Sequence, residues 1–191
     1  MINIAVFASG YGSNAQKIFE YFGNFPNYKI SLVLSNNKDA FVLKRAEIFK
    51  IDSVIVSRED FYKSDIVLNI LKTNKIDFIV LAGFMWLIPS QFINSFSNKI
   101  INIHPALLPK FGGKGMYGDF VHQSVKNSGT DETGISIHFV NEKYDEGDII
   151  FQEKCRILDS DSVEDIAFKV HELEYKFYPS VIKGVCDNLF L

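Results

Sequence analysis

Asn102 and His104 stand two residues apart in the run Ile100-Ile101-Asn102-Ile103-His104-Pro105. In an extended strand, residues at i and i+2 leave the same face, so an amide and an imidazole are presented side by side. Such a pair can donate hydrogen bonds to one developing oxyanion, and the imidazole can also carry a proton. Pro105 cannot continue a strand ladder, which places both side chains at the carboxyl edge of the sheet, where open α/β proteins hold ligands. A lone histidine is more often a satisfied core residue; the pairing and the strand-end position reverse that preference. An acid reaching His104 would favour its protonated form and raise its pKa. The turn-like stretch Tyr144-Asp145-Glu146-Gly147-Asp148 offers three acids, and spacing does not choose among Asp145, Glu146 and Asp148. His138 alternates with Ile137 and Phe139 and so faces away from that apolar row, either beside the site or toward solvent. His122 and His171 read as helix-surface residues.

A second chemical signal lies near the N-terminus. Gly10-Tyr11-Gly12-Ser13-Asn14-Ala15 fits G-x-G-x-x-G/A between a strand and a helix. Glycines let the backbone approach a phosphate, and the helix start offers unpaired N–H groups and a favourable dipole. A dinucleotide site would add an acid at the end of the second strand, but that strand ends in Ser35-Asn36-Asn37. The turn therefore reads as a site for a single phosphate around Gly12-Ser13-Asn14, against the plainer reading of a tight turn that binds nothing.

These residues need a scaffold, and the pattern supplies one. Ile2 to Ala8 is a short apolar strand closed by Ser9-Gly10. Ser13 is a candidate cap for the next helix, where Ala15, Ile18, Phe19 and Phe22 repeat at helical spacing. A strand at Ile30 to Leu34, a helix around Phe41 to Phe49 and a strand at Ser53 to Val56 follow. One further helix is expected over about Glu59 to Thr73, then a strand at Asp77 to Leu81. This rhythm implies right-handed βαβ units and a Rossmann-like three-layer α/β fold, a mostly parallel twisted sheet with helices on both faces. Beyond Leu81 the pattern is less regular. Leu107 to Gly118, with Pro109 and four glycines, reads as a long mobile loop. A helix near Tyr117 to Asn127 leads to strand-like runs Gly134 to Val140 and Asp148 to Ile157, close enough for antiparallel pairing. Ser162 and Asp165 form a capping box that opens the last long helix.

Composition bounds the function. The 191 residues carry a net charge of −3 and 47% hydrophobic content, which fits one globular domain, residues 1–191, and weighs against a nucleic-acid partner. The two cysteines make no metal-ligand pattern, so no metal is expected, and a reduced cytoplasmic setting is the simplest reading. No basic residue precedes the opening apolar run, so a signal peptide is not expected, and no stretch approaches a membrane span.

Taken together, the chain resembles the folate-dependent formyltransferase family. The resemblance rests on Ser9-Gly10-Tyr11-Gly12-Ser13-Asn14, Leu81-Ala82-Gly83-Phe84-Met85, Ile101 to Pro109, Gly134 to Val140 and Asp145-Glu146-Gly147, in family order over nearly the whole chain. It implies formyl transfer from 10-formyltetrahydrofolate to the amine of phosphoribosylglycinamide, a step of purine synthesis, in a monomer or homodimer. It further implies that Gly12, Ser13 and Asn14 hold the substrate phosphate and that backbone around Met85, Trp86, Leu87 and Ile88 binds the pterin. Arg58 would meet the folate's acidic tail, and Asn102 would contact the donor while polarising its formyl oxygen with His104. Asp145 would sustain charge on His104, which selects it among the three acids. Glu174 would orient the ribose or amine end of the substrate. On the last helix Ile166, Val170, Leu173 and Phe177 form the expected buried stripe, leaving Glu174 at its edge, functional or merely solvated. Trp86 stands where family members carry Arg, so side-chain contacts there are not transferred. The glycine-rich Lys110 to Gly118 loop is a candidate lid. Alternatives are a formyltetrahydrofolate hydrolase, which would need an N-terminal regulatory domain, a methionyl-tRNA formyltransferase, which would need a basic surface and a further domain, and a non-catalytic phosphate-binding module.

Overall fold

The computed structural model describes residues 1–191. Its elements run β1 (Ile2–Phe7), α1 (Ser13–Phe22), β2 (Tyr28–Ser35), α2 (Phe41–Ile48), β3 (Ser53–Ile55), α3 (Arg58–Lys63), α4 (Ile66–Thr73) and β4 (Phe78–Leu81). They continue with α5 (Ser90–Ser95), β5 (Ile100–His104), α6 (Asp119–Asn127), β6 (Glu132–Phe139), β7 (Ile149–Arg156) and α7 (Val163–Phe190). The strands form one seven-stranded sheet in the order β3-β2-β1-β4-β5-β6-β7. Pairing is parallel through β5, and β6 and β7 add antiparallel strands at that edge. This is the mostly parallel α/β sheet with antiparallel C-terminal strands that the alternating elements imply.

Alternation along each strand feeds two cores. In β1, Ile4 and Val6 turn toward a layer made with α1, α2 and α7, while Ala5 and Phe7 turn toward α3, α4 and α5. The same parity continues in β5, where Ile101 and Ile103 join the first layer and Ile100 joins the second. Asn102 and His104 share the parity of Ile100, so they leave the sheet on the second side. Strand order reverses direction between β2-β1 and β4-β5, and the crevice at those carboxyl ends is where such sheets bind ligands.

Three local expectations are corrected. Ser13 does not cap α1: Gly12 is the N-cap residue, in a left-handed conformation (φ 75°), and no side chain caps the helix. Val42 packs so closely there that a Cβ on Gly12 would lie 2.6 Å from its side chain. The helix expected over Glu59 to Thr73 is two helices, because the Ser64 hydroxyl donates to Asp60 O and accepts from Ile66 N–H, replacing helical backbone bonds. A short α5 also forms where the pattern looked irregular, started by extended Pro89.

Candidate active site

The long C-terminal helix explains one end of the site. Ser162 and Asp165 make the expected capping box and set its start. Its buried stripe is Ile166, Val170, Glu174, Tyr178 and Ile182, four residues apart, which corrects the expected Leu173 and Phe177 stripe. Those two are only partly buried, and Glu174 sits in the centre of the stripe, 5% exposed. One turn below, the Tyr178 hydroxyl donates to Leu81 O at 2.8 Å and roots the helix on the end of β4. Asn14 Nδ2 donates to Glu174 Oε2 at 2.9 Å, joining α7 to the start of α1. Burial pushes the Glu174 pKa up to about 7, against the downward pull of that hydrogen bond.

At the middle of the site the antiparallel register places His138 opposite Asn102 and Ser136 opposite His104. Ser136 Oγ accepts from Leu108 N–H at 2.9 Å and donates to Ala106 O at 2.7 Å. Gln152 on β7 donates to Leu108 O at 3.0 Å, so β6 and β7 fix the chain just after His104. His138 Nδ1 lies 2.8 Å from Phe139 O, which can only accept, so that nitrogen carries the proton. Its Nε2 is then free to accept from Asn102 Nδ2 at 3.2 Å.

Asp145 lies across from these side chains. Its Oδ2 is 3.5 Å from His104 Nδ1, its Oδ1 is 3.6 Å from His138 Nε2, and Gly113 N–H donates to it at 2.9 Å. Asn102 Nδ2 makes a longer contact to Oδ1 at 3.5 Å. Among the three acids of the turn, only Asp145 reaches this cluster; Glu146 pairs with Lys143 and Asp148 is exposed. The turn is tight: a Cβ at Gly147 would fall inside the Phe139 carbonyl. Burial raises the Asp145 carboxyl, but the His138 ring beside Oδ1, the charge His104 carries once protonated and the Gly113 N–H outweigh it and hold the pKa below 3.8.

The upward pull of Asp145 on His104 is present but loses. Burial lowers the imidazole pKa below 6.5 despite Asp145 and the Phe111 carbonyl, so resting His104 is neutral at neutral pH. Its Nε2 donates to Phe111 O at 2.8 Å, leaving the Nδ1 lone pair toward Asp145.

A cavity of about 540 Å³ joins these parts. Asn14 and Glu174 line it together with Met85, Trp86, Leu87 and Ile88, and Asn102, His104 and Asp145 lie in the same cavity. The formyl transferase family model matches residues 2–182 of this sequence. The chain belongs to the formyl transferase family.

Among its relatives, phosphoribosylglycinamide formyltransferase of Haemophilus influenzae is 39% identical, with 98% of this chain and 89% of that protein covered. The chloroplastic enzyme of Arabidopsis thaliana is 38% identical over 97% of this chain, which spans 65% of that longer protein. Glycinamide ribonucleotide transformylase 1 of Geobacillus kaustophilus has the same fold, with a TM-score of 0.88, 32% identity and coverage of 97% and 98% of the two chains.

Within this formyl transferase scaffold, Gly12 and Ser13 frame the turn beside Asn14 without lining the cavity. Arg58 is also outside it, its guanidinium 5.4 Å from the centre of the Tyr62 ring. Tyr62 in turn donates to Leu87 O at 3.0 Å. Trp86 packs among Phe61, Tyr62 and Phe84 with ring centroids 5.4–6.1 Å away. His122 is corrected from helix surface to buried, at 2% exposure, and burial together with His171 pushes its pKa down to about 4. His171 itself is exposed. Ser136 and Gln152 were missed from the sequence, because each depends on strand register; the same register resolves His138, left open between the site and solvent, to a place beside Asn102. No helix is long and apolar enough to cross a membrane.

Proposed function

We propose that this formyl transferase moves the formyl group of 10-formyltetrahydrofolate to the amine of phosphoribosylglycinamide in purine biosynthesis. The observation that carries the reading is one cavity in which the Asn102, His104 and Asp145 cluster lies together with the Asn14–Glu174 pair and the Met85–Ile88 segment. The phosphate would take the N–H groups of Gly12, Ser13 and Asn14, with Glu174 oriented toward the ribose or amine end. The pterin would lie along the backbone of residues 85–88, with Arg58 toward the tail. The domain acts as one formyl transferase unit over residues 1–191.

The neutral amine attacks the formyl carbon, and the carbonyl electrons move to oxygen. That oxygen replaces Phe111 O at His104 Nε2–H and draws the loosely held N–H of Asn102, which stabilises the oxyanion. The amine's proton passes through water to His104 Nδ1, and Asp145, 3.5 Å from that nitrogen, stabilises the imidazolium so formed. The same proton then moves through water to N10 of the departing tetrahydrofolate, and collapse of the oxyanion breaks the C–N10 bond. Holding both substrates in line could contribute up to about 7–11 kcal/mol.

The test follows loss of the formyl donor with purified protein, with and without phosphoribosylglycinamide. Loss only when the acceptor is present is the expected result. Loss without acceptor identifies a hydrolase instead, and no loss in either case leaves a binding module.

A further inference from the structure

The turn between β1 and α1 is held from outside by one face of α2. Val42 N–H donates to Gly10 O at 3.2 Å, and its side chain fills the space where Gly12 lacks a Cβ. Phe41 stacks on Tyr11 with centroids 4.9 Å apart and planes 11° from parallel. Arg45 covers both rings, its guanidinium 4.5 Å from the centre of Tyr11 and 4.9 Å from Phe41. Its Nε donates to Tyr11 O at 2.9 Å, and no carboxylate lies within salt-bridge distance of it. This is an unusual investment for a surface patch, since Tyr11 is 66% exposed.

The bond to Tyr11 O has a geometric consequence. A peptide unit is planar and trans, so fixing the direction of the Tyr11 carbonyl also fixes the Gly12 N–H, pointing the opposite way. The N–H groups of Gly12, Ser13 and Asn14 meet no acceptor within the chain. Asn14 Oδ1 beside them is a buried oxygen without a partner. Arg45 therefore sets the aim of the first donor in this row and adds a positive charge behind it.

We propose that Arg45 is a positioning residue for the acceptor's phosphate, acting through Tyr11 without touching the ligand. The proposal rests on the reading that this phosphate binds at Gly12 to Asn14. An aligned, charge-assisted bond of this kind commonly controls about tenfold in affinity. Arg45→Ala is expected to raise the KM for phosphoribosylglycinamide about tenfold, with kcat and the donor KM within about twofold of wild type. Arg45→Lys keeps the charge but lacks the Nε–H and the planar face, so it should recover only part of the loss.

Steady-state kinetics on the phosphorylated acceptor and on its riboside without the 5′-phosphate decide the matter. The loss in Arg45→Ala should vanish on the riboside, where wild type and variant are equally poor. Equal weakening on both acceptors, a fall in kcat instead of a rise in KM, or full recovery in Arg45→Lys overturns the positioning role. Wild-type enzyme that does not distinguish the two acceptors overturns the phosphate reading itself, and the Arg45 role with it. Thermal unfolding of each variant separates these results from loss of fold.

Discussion

Two carboxylates share the cavity, and their surroundings drive them in opposite directions. Asp145 has two imidazoles and a backbone N–H around it, and its pKa is held below 3.8 although burial acts against this. Glu174 has one amide donor, and burial raises its pKa to about 7. The same functional group is thus a fixed anion beside Asn102 and His104 and a titrating group beside Asn14. Partner count decides between them, since burial works upward on both.

The largest expected effect breaks the Asp145 side. Asp145→Ala should lower kcat by about 10²–10⁴ and His104→Ala by about 10²–10³, each with a cooperative unfolding transition retained. Turnover close to wild type in either variant would remove that residue from the mechanism.

Glu174→Gln should be gentler and different in kind. It keeps the shape and the bond to Asn14, so kcat should hold while the acceptor KM rises several-fold in initial-rate measurements. Its effect on stability has the opposite sign. The folded pKa of Glu174 lies above its unfolded value of 4.5, so its contribution is fully present below pH 4.5 and is lost as pH rises through about 7. At pH 8 the variant should unfold at higher temperature than wild type, by an amount reflecting at most about 3 kcal/mol. Equal melting temperatures at pH 5 and pH 8 in wild type would contradict the titration. Asp145 runs the other way: its contribution is present above pH 3.8 and is lost as pH falls through its lower folded value.

The smallest effect concerns His122, which shares the cavity but has no partner on Nδ1. Its folded pKa of about 4 lies below the ordinary 6.5, so wild type must lose stability as pH falls between those values. His122→Phe should show a shallower loss across that window in pH-dependent thermal melts; an unchanged slope would place the acid sensitivity elsewhere.

The contrast also marks where the sequence is readable. Asn102 and His104 share a face because strands alternate, and that rule needs no partner strand. The βαβ rhythm likewise survives from pattern alone. Asp145, His138 and Ser136 meet those residues only through the register of β5 with β6, which no local pattern encodes. Glu174 was misplaced for a related reason. Apolar Leu173 and Phe177 drew the helix stripe toward themselves, whereas tertiary packing buries the acid on the line from Ile166 to Ile182. The break after α3 was hidden because apolar periodicity runs through it, and a single serine side chain makes the difference.

Gly147 carries this last point into genetics. It offers no side chain to any substrate, yet any β-carbon there collides with the Phe139 carbonyl and must displace the turn that presents Asp145. A saturation scan scored by purine-independent growth is therefore expected to rank position 147 with Asp145. Its intolerance would record a steric requirement of the hairpin, two residues downstream of the carboxylate it presents.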